Sequence, residues 1–281
     1  MTKSWNDLAD ISAPTIDNTF ENLLLIDANN VAYRWLQRVN YNNFATDYQR
    51  TIQSLTKSYE AARTIVCFDF GRSYYRSTLY EEYKQNRKKP KEEEEAKKYE
   101  EFFAVLNDLP KKLNEETLKF RGVEADDLIT YAVKHLSPKY NHTWIISSDR
   151  DLYQLVDDNV SIFNMFSRRE ITKQTLSQDF ELNPSEYLLS RIIEGDKSDN
   201  ILGIEGIGPK RAQGLAKEYK SLDSLIKALP IKGRSKYITN LNAGKEILLR
   251  NEKLINLKTH NKEAIISGKE GDSIYVELSS L

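Results

Sequence analysis

Three short segments concentrate carboxylates at spacings suited to metal chemistry. Gly122-Val123-Glu124-Ala125-Asp126-Asp127 places three acids in four residues at the start of a helix predicted over 124–136. Acids in a first helical turn complement the helix dipole at about 0.3–1 kcal/mol each. That gain accounts for one or two of them, but for three together mutual repulsion offsets it unless cations neutralise the group. Ser147-Ser148-Asp149-Arg150-Asp151-Leu152 sets two acids two apart, just past an apolar run. For Asp151 alone, an acid in a first helical turn is the simpler reading. An EF-hand does not fit, because Tyr153 and Leu155 stand at ligand positions and no glycine follows at the sharp turn. Gly195-Asp196-Lys197-Ser198-Asp199-Asn200 follows a helix predicted over 184–194, and in isolation it reads as a polar turn.

The elements that must position these acids follow from the apolar pattern. Leu23-Leu24-Leu25-Ile26 ends on Asp27, Thr64-Ile65-Val66-Cys67-Phe68 ends on Asp69, and Thr143-Trp144-Ile145-Ile146-Ser147 reaches Asp149. Continuous apolar runs of this length are expected of strands buried on both faces. Helical patterns lie between them at roughly 46–62, 96–107 and 124–136. Strands alternating with helices imply an α/β fold with a central, mostly parallel sheet flanked by helices. One aspartate past a strand is an ordinary turn or cap residue. Three at the same sheet edge point to a shared acidic site, because ligands of open parallel sheets bind at the carboxyl ends of the strands.

Together Asp27, Asp69, Glu124, Asp126, Asp127, Asp149, Asp151, Asp196 and Asp199 make nine carboxylates at loop or element-end positions. Three histidines and one cysteine in the whole chain leave little for a zinc site. Hard oxygen ligands select Mg²⁺ or Mn²⁺. Nine exceed the needs of one octahedral ion, whereas a pair about 3.5–4 Å apart can use them in phosphoryl displacement.

At 281 residues the chain suits one large α/β domain or two small ones. With 40% hydrophobic residues it has the mass for a core, so global disorder is excluded. No run approaches the roughly 20 apolar residues of a membrane span, and the N-terminus lacks a signal-peptide pattern. The lone Cys67 cannot form an internal disulfide, which fits a reducing cytoplasm. Residues 1–21 read as a polar leader, 22–183 as the sheet domain, 184–257 as a helical subdomain, and 258–281 as a tail without a usable motif. The net charge of −1 argues, at face value, against a nucleic-acid partner.

Basic residues are nonetheless grouped. Tyr83-Lys84-Gln85-Asn86-Arg87 opens a basic run to Lys91, and on a helix Lys84 and Arg87 would share a face. Tyr83 suits stacking on a base or packing within the domain. Residues 92–101 read as a solvated helix supported by i,i+4 pairs. In Gly203-Ile204-Glu205-Gly206-Ile207-Gly208-Pro209-Lys210-Arg211-Ala212, Gly206 and Gly208 permit a tight turn and Pro209 suits a first helical turn. A helix N-terminus with Lys210 and Arg211 beside it can hold a phosphate. Lys232, Arg234 and Lys236 extend a phosphate track or are simply solvated. Arg34, seven residues after Asp27, reads from its position alone as a structural helix-surface arginine. Asn29 and Asn30 can bond the turn or a metal-bound water.

The ordered set LLLIDANN…YRW, TIVCFDFG, EYKQNR, GVEADD, SSDRDLYQLV and GDKSDNILGIEGIGPKRA resembles the 5′-nuclease (flap endonuclease) superfamily. It is most similar to the bacteriophage 5′-exonucleases and to the 5′-nuclease domain of bacterial DNA polymerase I. The resemblance spans about Leu23 to Leu257 and matches all nine acids. It implies a structure-specific 5′-nuclease of replication that uses two Mg²⁺ ions and leaves 5′-phosphate and 3′-hydroxyl products. It implies that Lys84, Arg87 and Asp149 are catalytic, with Lys84 and Arg87 aimed at the scissile phosphate. The following segment, about 84–118, would form a helical arch.

By the same resemblance, Gly206, Gly208, Lys210 and Arg211 form a helix–hairpin–helix DNA contact, which in the family can also hold K⁺ on backbone carbonyls. Arg34 matches a basic residue near the family's DNA path, and from the residues themselves Tyr83, Lys232 and Lys236 are further candidates to lie along the DNA. Asp69, Glu124, Asp126 and Asp127 would hold one ion and Asp149, Asp151, Asp196 and Asp199 the other, with Asp27 in support. A cytoplasmic monomer acting on DNA 5′ ends and flaps is expected, with RNA–DNA hybrids as a ribonuclease H-type alternative. The rivals are an Asp-nucleophile phosphatase and a non-catalytic DNA-binding module. The phosphatase normally needs D-x-D after its first strand, whereas Asp27 is followed by Ala28-Asn29. Removing the nine site acids from 42 leaves 33 against 41 bases, so the rest of the molecule is +8 and the objection from net charge falls.

Overall fold

The computed structural model describes residues 21–36, 41–87 and 92–281. All of the leader except Glu21, and residues 88–91 of the basic run, lie outside these.

β1 (Asn22–Asp27) continues through α1 (Ala28–Ala32) and α2 (Phe44–Ser58) to β2 (Ala61–Cys67). α3 (Tyr74–Leu79) and α4 (Glu93–Asp108) precede β3 (Glu116–Leu118), and α5 (Ala125–His135) returns the chain to β4 (Thr143–Ile146). β5 (Val160–Asn164) and β6 (Arg169–Ile171) complete a sheet of order β3-β2-β1-β4-β5-β6. All neighbours are parallel except β5 and β6. The chain steps outward from β1 to β3 and then crosses back to place β4 on the other side of β1. That reversal is the topological switch point, where a crevice opens at the carboxyl ends of the strands.

The strand core alternates between two packed faces. Leu23, Leu25, Ile65 and Ile145 point into one cluster with Leu128, Ile129 and the second half of the chain. Leu24, Ile26, Val66 and Ile146 point into the other, with Val31, Ile52 and Phe102. Burial on both faces is why these strands read as continuous apolar runs. The three expected strands are present. β3 and β6, each three residues long, lack enough pattern to be read from sequence.

The expected arch is partly absorbed into this core. Residues 81–86 form turns rather than a helix, and Lys84 has a φ of 56°. Lys84 and Arg87 therefore do not share a helical face as the spacing suggested. α4 buries Phe102 and Leu106, and the Phe102 ring lies 5.7 Å from Tyr41 and 6.1 Å from Phe44. The segment's expected end at 118 falls inside β3, at the edge of the sheet.

The second half is helical. α6 (Lys173–Phe180) and α7 (Pro184–Glu194) lead to a two-stranded ribbon of β7 (Gly195–Asp196) and β8 (Ile201–Leu202). α7 starts on Asn183, whose side chain accepts from Ser185 and Glu186 while Glu186 bonds back to the Asn183 N–H. α8 (Pro209–Tyr219), α9 (Leu222–Ala228), α10 (Lys236–Ala243), α11 (Lys245–Ile255), α12 (Leu257–Ile266) and α13 (Asp272–Ser279) follow. The last two occupy the stretch that carries no motif, yet they are fixed to the sheet domain. Asn261 donates to the Asp127 carbonyl at 2.7 Å, Lys269 N–H to Arg121 O at 2.8 Å, and Arg63 to Leu281 O at 3.1 Å. Among the described residues, no helix is long and apolar enough to cross a membrane.

Gly195 is the hinge between α7 and the ribbon. Its φ is +75°, and a Cβ there would lie 2.3 Å from Ile201 O and 2.4 Å from Gly203 N. Gly214, within α8, has nothing within 4 Å of a Cβ. Gly195→Ala should lower stability by about 1–3 kcal/mol, and Gly214→Ala should raise it by about 0.5–1 kcal/mol. Urea unfolding of the two variants measures both.

Candidate active site

The site is assembled from the loops that leave β1, β2 and β4, the start of α5, and the β7–β8 ribbon. Asp27 ends β1 and caps α1, accepting from Asn30 N at 3.1 Å and from the Ser147 hydroxyl at 2.8 Å. Asp69 follows β2 and accepts from Ala125 N at 2.8 Å, so it caps the helix that carries Asp126. Asp149 follows β4; its N–H donates to Ser147 Oγ and its carboxylate accepts from Asp151 N. Asn29 and Asn30 tie the edge together by accepting from the N–H groups of Asp69 and Ser148. The capping reading is thus correct for Asp27; Asp69 caps no helix of its own, since Ser73 caps α3, and instead accepts from the first turn of α5.

Two groups of acids result. Asp151, Asp196 and Asp199 can bring one oxygen each within 4.8 Å of one another. Asp27, Asp69, Asp126 and Asp149 form a second group, recognisable by mutual repulsion. Burial and then Asp69 push the Asp27 carboxyl up to about 8. Burial, then Asp149, Asp27 and Asp69, raise Asp126 well above the carboxylate range. Asp149 lies between the groups. It is raised by burial and by Asp199 and Asp196, and it follows burial in raising Asp151 to about 7.

Four cationic side chains border the acids. Lys84 Nζ lies 2.7 Å from Glu124 Oε1 and 3.5 Å from Asp199. Arg87 reaches Asp199 at 3.0 Å. Arg191 bridges Asp151 at 3.0 Å and Asp196 at 2.8 Å. Arg76, buried in α3, contacts Glu124 at 3.1 Å and holds both oxygens of Asp127 at 2.8 and 2.9 Å. Burial works against ionisation of Glu124, but Lys84 and Arg76 overcome it and bring its carboxyl down to about 2. Arg191 does the same for Asp196, against burial.

Two expectations change. Asp127 is fully buried with both oxygens committed to Arg76, so its carboxylate is a partner for that guanidinium rather than a crevice acid. Tyr83 is 2% exposed and its hydroxyl donates to Glu124 at 2.9 Å and Asp199 at 3.1 Å. A ring so enclosed cannot stack on a base; it positions two acids. Arg211 donates to Gly206 O at 2.7 Å and lies 4.8 Å from the Tyr237 ring centre, so it braces its own turn.

The turn expected at Gly206 and Gly208 is present. Gly206 has a φ of +84° and Gly208 caps α8 without a side-chain bond. Lys210 and Lys232 are exposed, and Lys236 pairs with Glu205 on the surface. Arg34 rests its guanidinium against Met165 Sδ at 3.9 Å and lies 5.5 Å from the Trp35 ring centre.

Arg76, Arg191 and Ser147 were not singled out from sequence, although each organises the acids. Nothing in the local pattern marks a buried arginine; its signal is the surplus of acids that it must neutralise.

A family model described as the 5′-3′ exonuclease N-terminal resolvase-like domain matches residues 22–181. A second, the 5′-3′ exonuclease C-terminal SAM fold, matches 182–266. The chain belongs to the 5′-3′ exonuclease family. This nuclease is 38% identical over 271 residues to the flap endonuclease of Escherichia phage T5, covering 94% of this chain and 93% of that protein. The 5′-3′ exonuclease of Mycoplasmopsis pulmonis is 32% identical over 215 residues, covering 74% and 70%. A T5 flap endonuclease structure, a pseudo-enzyme–product complex with DNA and metal ions, superposes with a TM-score of 0.87. Its identity is 37%, covering 92% of this chain and 98% of that one.

The buried Arg76 cluster gives a stability test of this nuclease. Arg76→Met leaves Glu124 and Asp127 without their buried partner and should cost about 3–5 kcal/mol. Adding Asp127→Leu to that variant should recover part of the loss. A denaturant-unfolding double-mutant cycle reads the coupling.

Proposed function

We propose that this nuclease hydrolyses DNA phosphodiester bonds at 5′ ends and 5′-flap junctions with two Mg²⁺ ions held by the crevice acids. The observation that carries this reading is the pair of carboxylate groups meeting at Asp149 beside Lys84 and Arg87. Buried like charges at such spacing call for cations beyond the side chains that border them. The donor set is all oxygen, which fits Mg²⁺, with Mn²⁺ as a substitute.

Asp151, Asp196 and Asp199 would hold one ion, and Asp27, Asp69, Glu124 and Asp126 would serve the other, with Asp149 between. Bound ions would supply a water acidified to a nucleophile at neutral pH and would stabilise the leaving oxygen. Lys84 and Arg87 present positive charge to the phosphate, exchanging their carboxylate partners for its oxygens. Tyr83 and Arg191 keep Glu124, Asp199, Asp151 and Asp196 in place. The α8 N-terminus, with Lys210 and Lys232, would hold a duplex phosphate. K⁺ on carbonyls of the 203–208 turn belongs to the same reading, although the Gly206 carbonyl already accepts from Arg211. The protein would act as a monomer in the cytoplasm of its cell or host. An RNA–DNA hybrid end is the further substrate to compare.

A labelled 5′-flap duplex should be cut in Mg²⁺ and left intact in EDTA or by Asp149→Asn. Lys84→Ala should lower kcat by about 10²–10³-fold. Flap binding without cleavage at any Mg²⁺ concentration would sink the proposal in favour of a binding module. Turnover of small phosphomonoesters alone would favour a phosphatase. Mg²⁺ at 100 times its Kd should also stabilise the fold by about 2.7 kcal/mol. A thermal melt with and without EDTA reads this independently of substrate.

A further inference from the structure

A cavity of about 620 Å³ opens at the amino ends of β4 and β5, on the sheet edge opposite the acids. That volume suits a small ligand, whose pockets run roughly 300–1,000 Å³. Val133 of α5, Leu155 and Val160 give it an apolar wall. Lys134 of α5, Lys258 of α12 and Asp157 bring charge to it. Asp158 also borders the space, but Lys173 reaches both of its oxygens, at 2.9 and 3.0 Å. Asp157 is itself engaged, accepting from Asp158 N at 2.7 Å. Two lysines thus face one aspartate, which leaves the cavity an excess of one positive charge.

Lys134 has an ordinary role as a base in the last turn of α5. Lys258 has none: it stands in the first turn of α12, where the helix dipole disfavours a cation. Partial burial holds its ammonium below the ordinary value, and Asp157 offsets only part of that effect. A cation set against both dipole and desolvation gains most from an anion brought to it.

The cavity also backs onto the acidic site. Buried Gln154 donates from Nε2 to Asp151 O at 2.8 Å and to Ile255 O at 2.9 Å, and its Oε1 accepts from Leu257 N at 3.0 Å. This one side chain clamps the turn Asp151–Leu155 to the start of α12. The cavity residues Leu155 and Lys258 are the chain neighbours of Gln154 and Leu257. A ligand spanning them holds the same junction that fixes the Asp151 backbone.

We propose that this cavity is an effector site for a small amphipathic monoanion, with its head on Lys258 and Lys134 and its apolar body on Val133, Leu155 and Val160. Occupancy braces the Gln154 junction and so tightens divalent-metal binding at Asp151 and its neighbours. By linkage, the metal tightens anion binding by the same factor. The coupling rests on the two-metal nuclease reading; the anion site does not.

Octanoate is the probe, titrated calorimetrically into the full chain in EDTA, so that binding is read without metal or DNA. A Kd of about 1 mM is expected for a ligand of this size. Octanol, which lacks the charge, and acetate, which lacks the apolar body, should each bind at least about 10-fold more weakly. Lys258→Gln should weaken octanoate binding about 10-fold. Lys227→Gln, which changes an exposed lysine of α9, should leave it unaltered. Equal binding of octanoate and octanol, or of octanoate to the Lys258→Gln and parent proteins, refutes the site. Mn²⁺ affinity is then read by electron paramagnetic resonance with and without saturating octanoate. Tightening of about 5-fold is expected in the parent and none in Lys258→Gln; an unchanged parent overturns the effector role. If Mn²⁺ does not bind in either condition, the two-metal reading fails and the effector role with it, while the anion site stands on the titration in EDTA.

Discussion

Carboxylates gathered in a buried crevice repel one another, and the rest of this structure is organised around that repulsion. At an effective dielectric constant near 20, two unit charges 4 Å apart interact by about 4 kcal/mol. Helix capping and dipole terms of about 0.3–1 kcal/mol cannot offset several such pairs. Burial first, and then the neighbouring carboxylates, push the carboxyls of Asp27 and Asp126 upward. The fold concentrates the repulsion at one place, the carboxyl edge of the sheet where β1 and β4 part.

The compensation is unequal. Arg76 and Lys84 stabilise Glu124 as an anion, and Arg191 does so for Asp196. The group of Asp27, Asp69 and Asp126 has only more distant cationic help and remains frustrated. That asymmetry distinguishes Glu124 and Asp196, whose charge cationic side chains already offset, from Asp27 and Asp126, whose carboxyls are pushed upward. It also explains why Asp127, although it stands in the densest acidic motif, turns away from the crevice: Arg76 needs a second carboxylate in the core.

The two halves of the chain meet through this same network. Asp196 and Asp199 come from the ribbon after α7, yet the Asp199 partners Arg87, Lys84 and Tyr83 belong to the turn after α3. The C-terminal helices brace the other end of α3: Leu254 O accepts from Arg76 Nε, and Asn261 holds the Asp127 carbonyl. The segment without a sequence motif thus supports, through Asn261, the aspartate that partners this arginine.

The sequence by itself determined three of the six strands of the main sheet, β1, β2 and β4, the acids at their ends, the all-oxygen donor chemistry, and the helical second half. These follow from local facts: a buried strand is a continuous apolar run, and an acid just past it stands at the sheet edge. The family was legible too, because six motifs in fixed order constrain far more than any one. Only the tertiary structure decided which acids face each other and which face a guanidinium. Arg76 and Asp127 are 51 residues apart, and Tyr83 and Asp199 are 116 apart. No periodicity records such a pairing. The turn at 81–86, with Lys84 at positive φ, likewise depends on contacts made after folding, among them Lys84 N–H to Asp199 O. Side-chain direction at the site is set by long-range packing and charge balance, and a one-dimensional pattern carries neither.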